Sequence, residues 1–279
     1  LALVMPTFVA NNEGNDCPQY TFTSKTITAM KKQKLQHQSL IVTLVTMLLL
    51  LAGSSVSAQE EYGLAIADVQ VTSENCSDLT AIPGVKGKVS YDPTTKTLTL
   101  EDASIDGGQR QGICSTDELT CVVKGKVSIT SNSNSCAMEL YGDVIIKGNG
   151  QLTLKSREGS GIYTEAALLI EGCTVYAEGE WGIAGEGGSG GESLTIRNAS
   201  VTAKGSKGSI SDLANFTLDG CSITKPAGAV WNDSKHAVCD ASGNVITDEV
   251  VIASVYELKI AGERVTSANC SDLSVIPGV

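Results

Sequence analysis

The chain has 279 residues, with 31 acidic against 20 basic side chains for a formal charge of −11, 29 glycines, 6 prolines and only 4% aromatics. The basic residues form no patch, which argues against nucleic-acid binding by phosphate neutralisation. Its nine cysteines include no C-x-x-C pair and it has two histidines, so neither a zinc site nor a haem site is expected.

Residues 1–29 start with Leu1, contain Cys17 and show no strand pattern. They read as upstream translation or a disordered leader, expected to pack against nothing. Residues 30–58 read as an export signal. Lys31, Lys32 and Lys34 give a positive opening after Met30, residues 40–52 are apolar, and Val56-Ser57-Ala58 is a small-residue cleavage site. The apolar run is shorter than the roughly 20 residues of a membrane span. Ser54 stands where a lipoprotein box would carry its lipidated Cys. The expected mature chain starts at Gln59, secreted or at the cell surface, with no membrane span and no lipid anchor. Its balance is (20 − 4) − (31 − 2) = −13, once Lys25, Lys31, Lys32, Lys34, Glu13 and Asp16 are removed. This acidity reads most simply as a solubility device.

Residues 59–255 form the next unit. Residues 64–71 alternate as a strand expected to cap an open end, and Val89-Ser90-Tyr91-Asp92-Pro93-Thr94-Thr95-Lys96-Thr97-Leu98 reads as a hairpin turned at Asp-Pro. One phrase then recurs: Leu98-Thr99-Leu100-Glu101-Asp102-Ala103-Ser104-Ile105, Leu168-Leu169-Ile170-Glu171-Gly172-Cys173-Thr174-Val175, Leu194-Thr195-Ile196-Arg197-Asn198-Ala199-Ser200-Val201 and Phe216-Thr217-Leu218-Asp219-Gly220-Cys221-Ser222-Ile223. Each is a period-2 strand, a bend at Gly, Asn or Asp, and a second strand five residues on. Residues 119–129 and 141–154 are looser copies. Such units bury their apolar faces only by stacking. The expected fold is all-β, a right-handed parallel β-helix with an N-terminal strand and hairpin cap. Ile170, Ile196 and Leu218 should share one interior column, and Val175, Val201 and Ile223 another.

Three features inside the repeats need placing. Gly185-Glu186-Gly187-Gly188-Ser189-Gly190-Gly191 reads as a flexible loop, because no Lys-Ser/Thr follows to make a phosphate cradle. Cys173 and Cys221 occupy the same position two rungs apart, roughly 9.6 Å at the spacing of stacked strands and beyond the ~7 Å reach of a disulfide. They read as small apolar fillers like Ala103 and Ala199. Cys114 and Cys136 lie about one rung apart and could bridge or simply stack.

A longer repeat covers the end of the chain. Residues 62–85 return as residues 256–279, an offset of 256 − 62 = 194, with 16 of 24 positions identical. Residues 256–279 read as the start of a second copy of the domain from a tandem array, whose short strands could pair with the last rung as an edge.

The opening Tyr62-x-Leu-x-Ile-Ala with Val71-Thr72-Ser73, the Ser90-Tyr91-Asp92-Pro93 hairpin and the Gly-Ile/Leu-x-Ile rungs resemble a group of secreted Bacteroidetes-type β-helix proteins, described as hypothetical or as carrying a carbohydrate-binding domain. The resemblance spans about residues 62–255. It implies export, a β-helix and polysaccharide binding, and supplies no catalytic residues.

Candidate functional residues are few. Tyr163, Tyr176, Trp181 and Trp231 could stack on sugar rings, although rim aromatics that merely cover the stack look the same in sequence. Trp181 and Tyr163, 18 residues apart (181 − 163), should fall close together, with Glu180 and Glu165 accepting hydrogen bonds from sugar hydroxyls. Glu101, Glu171, Arg197 and Asp219 appear at equivalent outward positions. Such a mixed-charge row could hold a sugar or a calcium ion, but is more often a solvated face. No carboxylate pair is set apart for glycoside hydrolysis, and Arg110, Arg157 and Arg197 lie outside acid clusters. The reading is an exported, non-catalytic module for polysaccharide or cell-surface glycan. Its rivals are a polysaccharide lyase or hydrolase on the same scaffold, and an adhesive stalk that binds protein partners.

Overall fold

The computed structural model describes residues 59–188, 190–266 and 270–276. The readings made for residues 1–58 lie outside the described residues. Three sheets of parallel strands wind into a solenoid of about five turns. The first sheet stacks residues 97–101, Leu119–Lys124, Val144–Gly148, Ala167–Glu171, Ser193–Arg197 and Asn215–Asp219. Its register aligns Leu98, Cys121, Ile146, Ile170, Ile196 and Leu218, so the first expected column is present. The second sheet aligns Val127, Leu152, Val175 and Val201, with Ile129, Leu154, Ala177 and Ala203 beside them. The third aligns Ile113, Met138, Ile162, Ile183 and Ile210. These third-sheet residues are all fully buried. Alternating side chains from all three sheets therefore converge on one apolar core.

The bends between the first two sheets explain why Gly, Asn and Asp interchange there. Asp102, Gly125, Gly172, Asn198 and Gly220 all have positive φ, a conformation that costs most residues about 1 kcal/mol or more but is accessible to these three. They also stack across rungs. The Asp102 carboxylate accepts a hydrogen bond from the Lys126 backbone N–H at 3.0 Å and fills the space where a Cβ on Gly125 would lie. The Asn198 side chain occupies the same place over Gly220.

Two expected alignments are corrected. Glu101 does not share a row with Glu171: it is in register with Lys124, whereas Glu171 is in register with Lys147. The bend falls four residues after the column residue in the first two turns (Leu98 to Asp102, Cys121 to Gly125) and two after it in later ones (Ile170 to Gly172, Ile196 to Asn198), so alignment by the bend and alignment by hydrogen-bond register diverge. Ile223 also does not stack directly on Val201. Strand Val250–Ile260 enters antiparallel between them, pairing Val201 with Ile252 on one edge and Ile223 with Ile252 on the other. Val250 and Ile252 are fully buried. This β-branched run satisfies two open strand edges and extends the core at once.

At the other end, strand Glu61–Ile66 pairs antiparallel with Ile113–Ser115 and forms a hairpin with Val69–Thr72. Strand Val85–Asp92 pairs antiparallel with Thr97–Asp106 through the expected Asp92-Pro93 turn. Cys76, Cys114, Cys121, Cys136, Cys173, Cys221 and Cys239 are free thiols. Cys114 and Cys136 are not bridged. Cys173, Ala103 and Ala199 are buried as expected, and the Ala199 backbone N–H donates to Cys221 Sγ at 3.4 Å.

Candidate functional site

The outer surfaces of the three sheets carry different chemistry. On the first sheet, Lys147, Glu171, Arg197 and Asp219 follow one another in register with alternating charge. Arg197 reaches Asp219 at 2.7 Å and Glu171 at 3.7 Å. On the second sheet, Glu178 lies between Lys155 at 2.9 Å and Lys204 at 3.7 Å, and Lys155 sits 5.3 Å from the Tyr176 ring centre. The Lys155 ammonium holds the Glu178 carboxyl below its usual range. These two rows neutralise themselves and behave as solvated faces.

The third sheet differs. Its outward positions place Glu139 in register with Tyr163 on the next turn. Glu165 follows Tyr141 in the same way, its backbone N–H donating to the Leu140 carbonyl at 2.8 Å. Strand alternation keeps Ile162 and Met138 inside and turns Tyr163 and Glu139 out. Two tyrosines and two glutamates thus form a checkerboard with roughly 4.8 Å between turns. The Tyr141 hydroxyl donates to Glu139 Oε1 at 2.7 Å, and the Tyr163 hydroxyl donates to Glu165 Oε1 at 3.0 Å. Gln111 Nε2 donates to Glu139 Oε2 at 2.6 Å.

Electrostatics fix the protonation of this patch. The hydrogen bond to Glu139, then burial, pushes the Tyr141 phenol well up. Burial, then the hydrogen bond to Glu165, does the same for Tyr163, with Glu186 adding to it. Both phenols stay neutral donors at any physiological pH. Among the described residues, Glu139 and Glu165 take part in no ion pair: their partners are neutral phenols and an amide. Both side chains therefore keep spare acceptor lone pairs. Tyr141 is 41% exposed, one of the few large hydrophobic side chains exposed among the described residues.

The four residues expected to act together are found as two pairs. Tyr163 and Glu165 meet as described. Trp181 and Glu180 form a second group, where Lys207 Nζ lies 2.6 Å from Glu180 Oε2 and 4.5 Å from the centre of the Trp181 ring. Trp181 is in register with Ser160, while Tyr163 is in register with Ala184. The offset is three residues, about 10 Å along the sheet. Among the described residues, no hydrogen bond, ion pair or ring contact joins the two groups. Lys207 already covers one face of the indole. Trp231, the other tryptophan, packs on Phe216 with ring centres 5.4 Å apart, a covering role at the last turn.

Sequence reasoning missed Glu139, Tyr141 and Gln111. The available signal was Met138-Glu139-Leu140-Tyr141, which repeats Ile162-Tyr163-Thr164-Glu165 with the aromatic and acidic positions exchanged.

No family model, curated protein or solved structure matches the chain. Among the described residues, no group of three or more His, Cys, Asp or Glu side chains comes together as metal ligands. A separate cleft of about 390 Å³ opens near the first turn between Tyr62, Tyr91, Pro93 and Asp117. Its two tyrosine rings lie 5.5 Å apart.

Proposed function

We propose that the chain is an exported, non-catalytic β-solenoid module that binds polysaccharide outside the cell or at its surface, along the outer face of the third sheet. The observation that carries this reading is the Glu139–Tyr141–Tyr163–Glu165 checkerboard. Tyrosine rings offer apolar faces to the C–H side of a sugar ring, and neighbouring carboxylates accept from its hydroxyls. The patch lies on a continuous sheet, so an extended chain can run across it from one turn to the next. Trp181 and Glu180 would form the outlying end of the same strip. The apolar run and cleavage motif of residues 30–58 support export.

The acidity of the chain narrows the ligand. A mature balance of 16 − 29 = −13, with unpaired carboxylates at the site, repels anionic glycans and suits neutral ones. Glycoside hydrolysis needs two carboxyls set across one scissile bond, whereas Glu139 and Glu165 each hold a tyrosine hydroxyl of this patch, which supports the non-catalytic reading.

The test is retention of the full chain on insoluble neutral polysaccharides, wild type against Tyr163→Ala, Tyr141→Ala and Trp181→Ala. The expected result is at least a tenfold loss with either tyrosine variant and a smaller loss with Trp181→Ala. Unchanged retention in both tyrosine variants would discard the site. Retention on no glycan would favour an adhesive stalk for protein partners, and release of soluble oligosaccharide would favour the enzyme.

A further inference from the structure

The end of the described chain repeats its beginning in structure as well as in sequence. Strand Glu61–Ile66 turns through Ala67 into Val69–Thr72, pairing Ile66 with Val69. Strand Val250–Ile260 turns through Ala261 into Glu263–Thr266, pairing Ile260 with Glu263. Ala67 and Ala261 share the positive φ of the turn, 47° and 50°. A short 3-10 turn follows each hairpin, Leu79–Ala81 and Leu273–Val275. An aspartate caps each turn, Asp78 accepting from the Thr80 backbone and Asp272 from the Ser274 backbone.

Burial separates the two copies in an informative way. Val71 and Ile82 are buried, and so are their counterparts Val265 and Ile276. Leu64 is 1% exposed, whereas its counterpart Leu258 is 56% exposed. Leu79 is fully buried, whereas Leu273 is only half-buried. Leu64 and Leu79 are the residues that face the first turn of the solenoid. Leu64 lies in register with Ser115, and the Leu79–Ala81 turn packs against strand Val85–Asp92. The first copy thus shows what covers Leu64 and Leu79, the counterparts of the more exposed Leu258 and Leu273.

We propose that the surface bearing Leu258 and Leu273 is a seat for the first turn of a second copy of this solenoid. By the register of the first copy, residues 258–260 would pair antiparallel with Ile113–Ser115 of the incoming copy, closing an otherwise open strand edge. Leu258 would be buried against its first turn, as Leu64 is. The joint is stiff. Strand Val250–Ile260 is held between residues 201–203 and Cys221–Lys225 over its first half and enters the hairpin over its second, so no flexible linker separates the copies. Stacked copies would repeat any third-sheet site at a fixed spacing.

Hydrogen exchange tests this on the full chain and on the same chain extended after Val279 by residues 86–255, which supplies the rest of a second solenoid. The amides of residues 258–266 should exchange at least a hundredfold more slowly in the extended chain, approaching the protection of residues 64–72. Leu258→Asp in the extended chain should abolish that gain while leaving residues 98–211 of the first solenoid unchanged. The proposal is overturned if the second solenoid folds while residues 258–266 exchange as fast as in the shorter chain. It is equally overturned if the second solenoid fails to fold on this seat, or if Leu258→Asp keeps the protection.

Discussion

Replacing Ile170 by Ala tests the stacked interior where it has least freedom to adjust. Ile170 is fully buried between Ile146 and Ile196 in register, both also fully buried. The substitution removes three carbons, worth about 2.4 kcal/mol at ~0.8 kcal/mol per buried methylene. Hydrogen-bonded strands on both sides prevent collapse, so a cavity contribution of about 1–2 kcal/mol adds to this. The expected loss is about 4 kcal/mol. Leu218 occupies the last position of the same column and is only half-buried. Leu218→Ala should therefore cost about 1–2 kcal/mol. Urea unfolding of both variants, followed by far-ultraviolet circular dichroism, measures the difference through the midpoint at constant slope. Equal losses for the two variants, or a loss under about 1 kcal/mol for Ile170→Ala, would refute the continuous column.

Other outcomes follow from single contacts. Gly125→Ala should destabilise by about 2 kcal/mol, since it places a Cβ at positive φ and against the Asp102 carboxylate; Asn198→Gly at the equivalent bend should cost well under that in the same urea assay. The Glu178 carboxyl is lowered chiefly by Lys155, so its stabilisation is present above the unfolded carboxylate range and is lost as pH falls through the depressed folded value. Glu178→Gln should thus lower the melting temperature at pH 7 and leave it equal to wild type near pH 2, and a constant difference across that range would contradict the pairing. Burial pushes the Cys121 thiol up to about 12 and the Cys173 thiol up to about 11. Both should resist a thiol reagent at pH 8 until the chain unfolds, as mass mapping of labelled peptides would show.

The solenoid was legible because its signal is local. A strand, a left-handed bend at Gly, Asn or Asp, and a second strand five residues on fix which residues point inward. Stacking then places Ile170 over Ile196 without further information. What escaped the sequence depends on partners chosen across the chain. Nothing periodic in Val250-Val251-Ile252 shows that it enters antiparallel between Val201 and Ile223, since two open edges decide this. The bend shifts by two residues against the interior column between Cys121 and Ile170, which takes Glu101 out of the row of Glu171, because register follows hydrogen bonds and not the bend. Half of the candidate site was visible in Tyr163 and Glu165, which lie between strong copies. Glu139 and Tyr141 lie in a looser copy with their order exchanged, and Lys207 reaches the Trp181 ring from the next turn. Side chains that meet across turns leave no mark in the local pattern.

The most direct test of the proposed binding face is nuclear magnetic resonance of the full chain with ring-labelled tyrosine, titrated with soluble neutral oligosaccharides. Binding along the third sheet predicts that the Tyr141 and Tyr163 ring signals shift together, saturably, and that Tyr62 and Tyr91 at the far cleft stay in place. Signals assigned by Tyr→Phe substitution identify each ring. Movement of Tyr62 and Tyr91 alone, with Tyr141 and Tyr163 unmoved at saturation, would contradict the account.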